Sequence, residues 1–256
     1  MASLYISSDT YAEFEQQISE TWELEAGYRL VDVEYIDESY VGVFVDNNGA
    51  NAFHEDPDFA TLQAEIQKEW DDGRDIIDIE YIEDNWVAVF GDNSGGSAYD
   101  LSADLTEFAA DTQERWNEGY DLVDVEYADG NWISIFGDNI GNSAYSTSDS
   151  LTGFEEVIQD RWDEGFDLVG IEYAESTWIA VFGKNYFASS AYSYFSTEAE
   201  FMAGVEARQE QGFDLVDFEQ GDGVFFGVFD DSTNGGLGGD LINEELIVAS
   251  VAASIV

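Results

Sequence analysis

The sequence predicts an α/β fold made of five tandem repeats, each a helix followed by three strands. The first observation is a glycine that recurs at steps of 46, 46, 46 and 47 residues, at Gly27, Gly73, Gly119, Gly165 and Gly212. The second is a helical apolar period ahead of each glycine, and the third is a period of two after it. A fixed period of roughly 20–50 residues is typical of solenoids, propellers and other arrays.

The segment ahead of each glycine predicts an amphipathic helix. Mostly large apolar residues recur four apart, which places them on one helix face. The five sets are Phe14/Ile18/Trp22, Leu62/Ile66/Trp70, Phe108/Thr112/Trp116, Phe154/Ile158/Trp162 and Phe201/Val205/Gln209. Three of these helices end in Trp-(Asp/Asn)-(Asp/Glu)-Gly, where the glycine suits a left-handed C-terminal cap.

The segment after each glycine predicts three strands. The first strand is LVDVEY or a variant of it, the second is rich in β-branched and aromatic residues (WVAVF, WISIF), and the third is a short SAY run. The fifth repeat has no SAY run after its second strand, whereas the chain begins with the similar segment at residues 3–7. We therefore expect the N-terminal strand to complete the last unit and to close a five-bladed α/β propeller-like ring. The alternative is an open repeat array with polar caps.

Composition favours a single repeat domain over residues 1–231, followed by a Gly/Asp-rich linker and tail over 232–256. The chain has 256 residues, is 45% hydrophobic and carries a net charge of −50 from 57 acidic and 7 basic residues. This charge argues against nucleic-acid partners and anionic membranes, and it favours cations as partners. The sequence has no cysteine, and no apolar run approaches the roughly 20 residues of a membrane span.

The repeat resembles a known sequence type. The pattern W-x-x-G-[YF]-x-[LI]-x-x-[VI]-x-Y, followed by a Trp-containing strand, resembles tandem repeats of unknown function in bacterial proteins and in some plant casein-kinase-like proteins. The resemblance covers about residues 10–230. Where that family usually carries Ser, Thr and Lys, this chain has Asp and Glu. The five-fold arrangement of strands and helix is similar in topology to the pentein propellers, whose catalytic Cys this chain lacks.

Repeated acids in the first strand are the main candidate site. One face of each strand carries a Glu and, two residues before it, an Asp that only Gly170 replaces. We expect these residues to form two stacked belts of carboxylates that bind Ca²⁺, an ion that takes roughly 6–8 oxygen ligands. The alternative is a solvated sheet face. The candidate metal ligands are Asp32, Glu34, Asp78, Glu80, Asp124, Glu126, Glu172, Asp217 and Glu219, with Asp240 in the tail.

Other chemistries have less support in the sequence. His54 is the only histidine and is interpreted as a surface residue, so acyl-transfer and zinc chemistry are not expected. A glycosidase would need one asymmetric acid pair, whereas these acids repeat with the fold. We predict no enzymatic activity. The alternative function is a lectin-like module that stacks glycans on the aromatic residues opening the second strands, which are Tyr40, Trp86, Trp132, Trp178 and Phe225.

The tail predicts export from the cell. Residues 235–242 fit the G-G-x-G-x-D-x-U pattern of RTX calcium-binding repeats, and residues 246–256 are uncharged. This combination resembles the uncleaved C-terminal signals of type I secretion. We therefore expect an extracellular protein without an N-terminal signal peptide. The alternative location is the cytoplasm of a halophile. The alternative interpretation of the tail is a last strand or helix that docks on the repeats.

Overall fold

The computed structural model describes residues 3–24, 27–36, 38–46, 51–92, 96–137, 142–184 and 189–231. The first unit contains β1 (Leu4–Ser8), α1 (Tyr11–Leu24), β2 (Tyr28–Ile36) and β3 (Ser39–Asp46). The second contains β4 (Asn51–Asp56), α2 (Phe59–Asp71), β5 (Arg74–Ile82) and β6 (Asn85–Asp92). The third contains β7 (Ser97–Ser102), α3 (Leu105–Glu118), β8 (Asp121–Ala128) and β9 (Asn131–Gly137). The fourth contains β10 (Ser143–Ser148), α4 (Leu151–Asp163), β11 (Asp167–Ala174) and β12 (Thr177–Gly183). The fifth contains β13 (Ser190–Phe195), α5 (Glu198–Gln209), β14 (Asp214–Gly221) and β15 (Val224–Asp230).

The prediction of five helix-plus-three-strand repeats is confirmed. Every unit forms one three-stranded antiparallel sheet, with the last strand of the unit in the centre, as in the order β1-β3-β2. The apolar helix stripes are buried as expected, for example Phe154 and Ile158 in α4. The helix ends also follow the sequence, since Gly119 caps α3 in the left-handed conformation with φ 96.

The strand grouping differs from the sequence prediction. Each SAY strand pairs with the central strand of the following unit, so β7 pairs with β9 and β10 pairs with β12. By the same rule the N-terminal strand β1 pairs with β3 of the first sheet, with Tyr5 opposite Val43. The fifth sheet is completed by β13, which pairs with β15. The N-terminal strand therefore does not fill the last unit.

The prediction of a closed five-bladed propeller-like ring is wrong. Within the residues that the structure describes, the strands form five separate three-stranded sheets, and none of these sheets is closed or curled into a ring. The expectation rested on a strand missing from the fifth unit, and that strand is present as β13. The corrected unit is strand, helix, strand, strand, and it requires no exchange between the two ends of the chain.

The apolar cores are shared between units. The first core contains Phe14 and Leu30 from the helix side of the first sheet, together with Val87 and Val89 from the back of the second sheet. The same pattern links the third unit to the fourth and the fourth to the fifth. In the fifth core, Phe201 packs with the back of the first sheet. Each unit therefore buries its apolar face only with a neighbour, as repeat proteins generally do.

Candidate functional site

The site is built by the five strands that follow the helices. Strands β2, β5, β8, β11 and β14 contact one another in chain order, and β14 also contacts β2. Because the Asp and Glu of the repeat lie in these strands, their side chains meet at the centre of the molecule. We call the resulting set the central carboxylate cluster, and its members are Asp32, Glu34, Asp78, Glu80, Asp124, Glu126, Glu172, Asp217 and Glu219.

A β-bulge in each of these strands directs the acids away from the unit's own helix. In the first unit Leu30 pairs with Phe44 but Asp32 already pairs with Val43, so residue 31 has no partner. The same irregularity recurs in all five strands. An extra residue in one strand bends it and re-aims the side chains that follow. As a result Val33 lies in the core of the first unit, whereas Val31 packs against the core of the fifth unit.

The cluster is buried, which contradicts the alternative of a solvated sheet face. Asp78 exposes 2% of its surface and Glu126 exposes 5%. Asp32, Glu34, Glu172 and Glu219 are also buried, and the remaining three members are half-buried. Burial of a carboxylate without a compensating partner is costly. The arrangement therefore needs a specific source of charge compensation.

Three aspartates join neighbouring units through the backbone. Asp78 Oδ2 accepts a hydrogen bond of 2.9 Å from the N–H of Val33 in the preceding unit. Asp217 Oδ2 accepts one of 2.7 Å from Ile171 in the same way. Asp32 Oδ2 accepts one of 3.2 Å from Phe218 of the fifth unit. Each of these carboxylates thus uses one oxygen to hold two units together.

The glutamates interact mainly with other carboxylates. Glu126 is at the centre of these interactions, because it lies within hydrogen-bonding reach of Glu80, Asp124 and Glu172. Glu172 in turn lies within reach of Glu219. Among the described residues, no ion pair joins a lysine, arginine or histidine to the cluster. The units have therefore brought like charges together without basic partners.

Burial is the main cause of strongly raised pKa values in this cluster. It raises the pKa of Glu80 to about 8, of Glu219 to about 7 and of Asp124 to about 6. The pKa values of the other six carboxyls also lie well above their usual range, first through burial and then through repulsion by neighbouring carboxylates. These are the two environmental effects that disfavour an ionised acid. A bound proton or a bound cation would relieve both.

Two sets of three carboxylates have the spacing of a metal site. Ligand oxygens of Glu34, Glu80 and Glu126 all lie within 4.8 Å of one another, and so do those of Asp78, Asp124 and Glu126. Two buried oxygens in these sets, Asp78 Oδ1 and Glu126 Oε2, have no hydrogen-bond partner. Such orphaned buried acceptors are rare in folded proteins and call for an explanation.

A third acidic group, on the surface of the second unit, is explained by ion pairs. His54 Nε2 lies 2.7 Å from Glu69 Oε1, Arg74 binds the other oxygen of Glu69, and Lys68 pairs with Glu65. In the third unit the equivalent helix position is Arg115, which binds Asp100 on the edge strand. The second unit therefore carries the same contact with its acidic and basic side chains exchanged between helix and strand.

The prediction of His54 as a surface residue is incomplete. The imidazole is about a quarter exposed and is bonded to the buried Glu69. The sequence does contain a signal for this contact. Glu69 and Arg115 both lie four residues before the repeat glycine, and His54 and Asp100 occupy equivalent positions in their strands.

The aromatic residues that open the second strands are buried. Tyr40, Trp86, Trp132, Trp178 and Phe225 all pack in apolar cores. A side chain must present an exposed face to stack on a sugar, so these residues do not form a glycan surface. The predicted metal ligand Asp240 and the RTX-like tail lie outside the residues that the structure describes.

Comparison with known proteins adds no further assignment. No protein-family model matches the chain, and no curated protein matches it significantly. The resemblance to the bacterial and plant repeats remains a prediction. Among the described residues, no helix is long and apolar enough to cross a membrane.

Proposed function

We propose that the protein is a non-enzymatic repeat protein that binds calcium, or another hard divalent cation, at its central carboxylate cluster. The observation that carries this proposal is the convergence of nine buried or half-buried carboxylates without a basic partner. Acids that recur at the same position in successive units suit a shared binding site, whereas a glycosidase needs one asymmetric acid pair.

The chemistry of the ligand set favours calcium. All candidate ligands are carboxylate oxygens, which suit hard cations, whereas imidazole and thiolate ligands would favour transition metals. Calcium accepts roughly 6–8 oxygens in flexible geometry, while magnesium requires a near-ideal octahedron and retains waters. A crowded set of carboxylates from several strands fits the first requirement better.

The cation would also stabilise the fold. The carboxylates that repel one another lie on strands from all five units, so their repulsion opposes the packing of these units. A cation bound only by the folded state adds about 2.7 kcal/mol of stability when its concentration is one hundred times Kd. Binding and folding are therefore coupled in this proposal.

The experiment that tests the proposal is thermal melting in EDTA, in millimolar CaCl₂ and in NaCl of equal ionic strength. The pH is held above about 8, the value to which burial raises the pKa of Glu80, so that protons compete less with the cation. We expect calcium to raise Tm beyond the value in NaCl, because Debye screening does not depend on ion identity. Equal effects of the two salts would refute the proposal.

A matched pair of variants separates binding from general charge. Glu126→Gln removes one charge from the cluster, and Glu114→Gln removes one from the exposed surface of the same unit. The proposal requires the calcium-specific rise in Tm to fall in the first variant and to persist in the second.

We also propose that the protein acts outside the cell after export directed by its C-terminal tail. The support is the RTX-like run over residues 235–242 and the calcium concentration outside cells, where modules with Kd near 10⁻⁴–10⁻³ M are common. Removal of residues 241–256 should keep the protein inside its native host. Appearance of the truncated protein in the medium would contradict this proposal and leave cation binding untouched.

A further inference from the structure

The two candidate metal sets share a single residue. Glu126 belongs both to the set with Glu34 and Glu80 and to the set with Asp78 and Asp124. We propose that the protein binds two divalent cations and that the Glu126 carboxylate bridges them. This inference rests on the proposed function and specifies the number of ions and the residues that hold each one.

The position of Glu126 suits a bridging ligand. It lies on β8, the inner strand of the third unit, and its carboxylate lies within 4.8 Å of the ligand oxygen of Glu80 in one set and of Asp124 in the other. The five acids come from the inner strands of only the first three units, β2, β5 and β8. A carboxylate has two oxygens with about four lone-pair sites, so one group can bind two ions.

Unpartnered oxygens at the two sets are a second, independent observation. Glu126 Oε2 is buried without a hydrogen-bond partner, and the residue exposes 5% of its surface. In the aspartate set, Asp78 Oδ2 is occupied by the Val33 N–H, but Asp78 Oδ1 is buried and has no partner. These unpartnered oxygens belong to residues of the two sets, and each still needs a positive partner.

The rest of the cluster differs from these two sets. The fourth unit has Gly170 in place of an aspartate, so the aspartate layer is interrupted there. The glutamates of the fourth and fifth units, Glu172 and Glu219, lie within hydrogen-bonding reach of each other. Asp217 is bonded to the Ile171 N–H. The repeat is five-fold, but the two proposed ion positions are confined to one side of it.

The charges of the proposed site nearly balance. Five carboxylates supply about five negative charges and two divalent cations supply four positive ones, so ion binding would remove most of the local repulsion. Carboxylates can bind calcium through one or both oxygens, and water supplies the remaining ligands. Protein ligands alone need not complete either coordination shell.

The test counts bound ions by native mass spectrometry and isothermal titration calorimetry with CaCl₂. We expect two ions in the full chain. Glu34→Gln and Asp78→Asn should each lose one ion, and Glu126→Gln should lose both or weaken both by at least tenfold. Glu219→Gln is the matched control, because it removes the same charge from the same layer outside the two sets; it should retain two ions.

The possible failures are distinguishable. A single ion in the wild-type chain overturns the bridged pair but leaves the proposed function standing, whereas no bound ion overturns both. Equal losses in Glu219→Gln and Glu126→Gln would also overturn the assignment, because they would indicate a symmetric site. The wild-type count is decisive even if one variant does not fold, and circular dichroism identifies that case.

Discussion

Gly170 is the residue at which the aspartate layer is broken. An added Cβ there would lie 2.9 Å from Asp124 Oδ1 and 3.3 Å from Asp217 Oδ2. Both atoms belong to ionisable carboxyls that burial already disfavours as anions. Glycine at this position therefore leaves space for two aspartates from neighbouring units and limits the number of charges at the centre.

Replacement of Gly170 separates crowding from charge. Gly170→Asn and Gly170→Asp introduce side chains of nearly equal size, and only the second adds a carboxylate. We expect both substitutions to lower Tm in EDTA. The free energy of unfolding of the Asp variant should be roughly 1–3 kcal/mol smaller than that of the Asn variant, because the Asp variant buries another unpaired charge. Denaturant titration measures this difference. Equal stability of the two variants would mean that the central charge is already compensated.

Asp230 gives a pH dependence independent of the cluster. Burial, then the charges of Asp214 and Asp231, raise its pKa to about 7. Below about pH 4 the carboxyl is protonated in both the folded and the unfolded state, and its full contribution to stability is present. As the pH rises towards the folded-state pKa of about 7, the unfolded state loses its proton first, so this contribution is lost.

The corresponding variant is Asp230→Asn. Between about pH 4 and pH 7, the free energy of unfolding of this variant should fall by roughly 2 kcal/mol less than that of the wild type. This value is reduced for the partial exposure of the side chain. Denaturant melts across this range measure the slope. Asp149→Asn, at an exposed position, is the control and should keep the wild-type slope. An unchanged slope in Asp230→Asn would exclude this residue as the cause.

At the scale of elements, the repeat pattern was sufficient to predict the helices, the strands and the acids that meet. The five helix stripes and the alternation of LVDVEY carry the local information, because burial imposes a period of 3.6 on a helix and 2 on a strand. The pattern did not reveal which strands pair. A SAY strand can join the sheet before or after it in the chain, and only packing between units decides this.

The bulge was also not predicted. In LVDVEY the alternation of apolar and acidic residues starts only at the second position, and the adjacent apolar pair Leu122-Val123 marks the place where Leu122 and Asp124 pair with consecutive residues of β9. The shift in side-chain direction that follows determines that Leu122 and Val125 both face the unit's own core. The acids could be proposed as one layer from the sequence, but their burial and their unequal partners depend on five units packing together.

The N-terminal strand β1 belongs to the first sheet and also contacts the fifth unit. It pairs along β3, while Ser3 N donates to Asp214 Oδ1 at 2.8 Å and Ser3 Oγ accepts from Leu215 N at 2.9 Å. Ser143 makes the equivalent Oγ contact with Leu122 N of the third unit.

Deletion of residues 1–8 should lower the free energy of unfolding by roughly 3–5 kcal/mol, because a strand and its apolar contacts are lost.

Hydrogen exchange distinguishes the two possible partners of β1. We expect the amides of β3 to lose protection in the deletion variant, because β3 is left with β2 alone. The amides of β15 should remain protected between β13 and β14 and serve as the internal control. Faster exchange in β15 than in β3 would contradict the strand pairing described above.

At the scale of the whole molecule, two forms of electrostatic repulsion act together. The net charge is −50, and more than half of the acids that the structure describes are exposed, where salt screens them with a Debye length of about 10 Å at 0.1 M. The central cluster is buried, so mobile ions outside the protein screen it much less. Monovalent salt and a bound cation should therefore stabilise the molecule through different residues.

This distinction predicts how salt and calcium effects combine. In Glu126→Gln, the rise in Tm between low and high NaCl should equal that of the wild type, because the exposed charge is almost unchanged, while the additional rise in millimolar CaCl₂ should be lost. A variant with several exposed acids neutralised, including Glu114 and Glu118, should show the converse: a smaller response to NaCl and a full response to calcium. Thermal melts of the three proteins in both salts measure this. Parallel loss of both responses in either variant would show that surface and centre act as one screened charge, and the proposed specific site would then have no energetic basis.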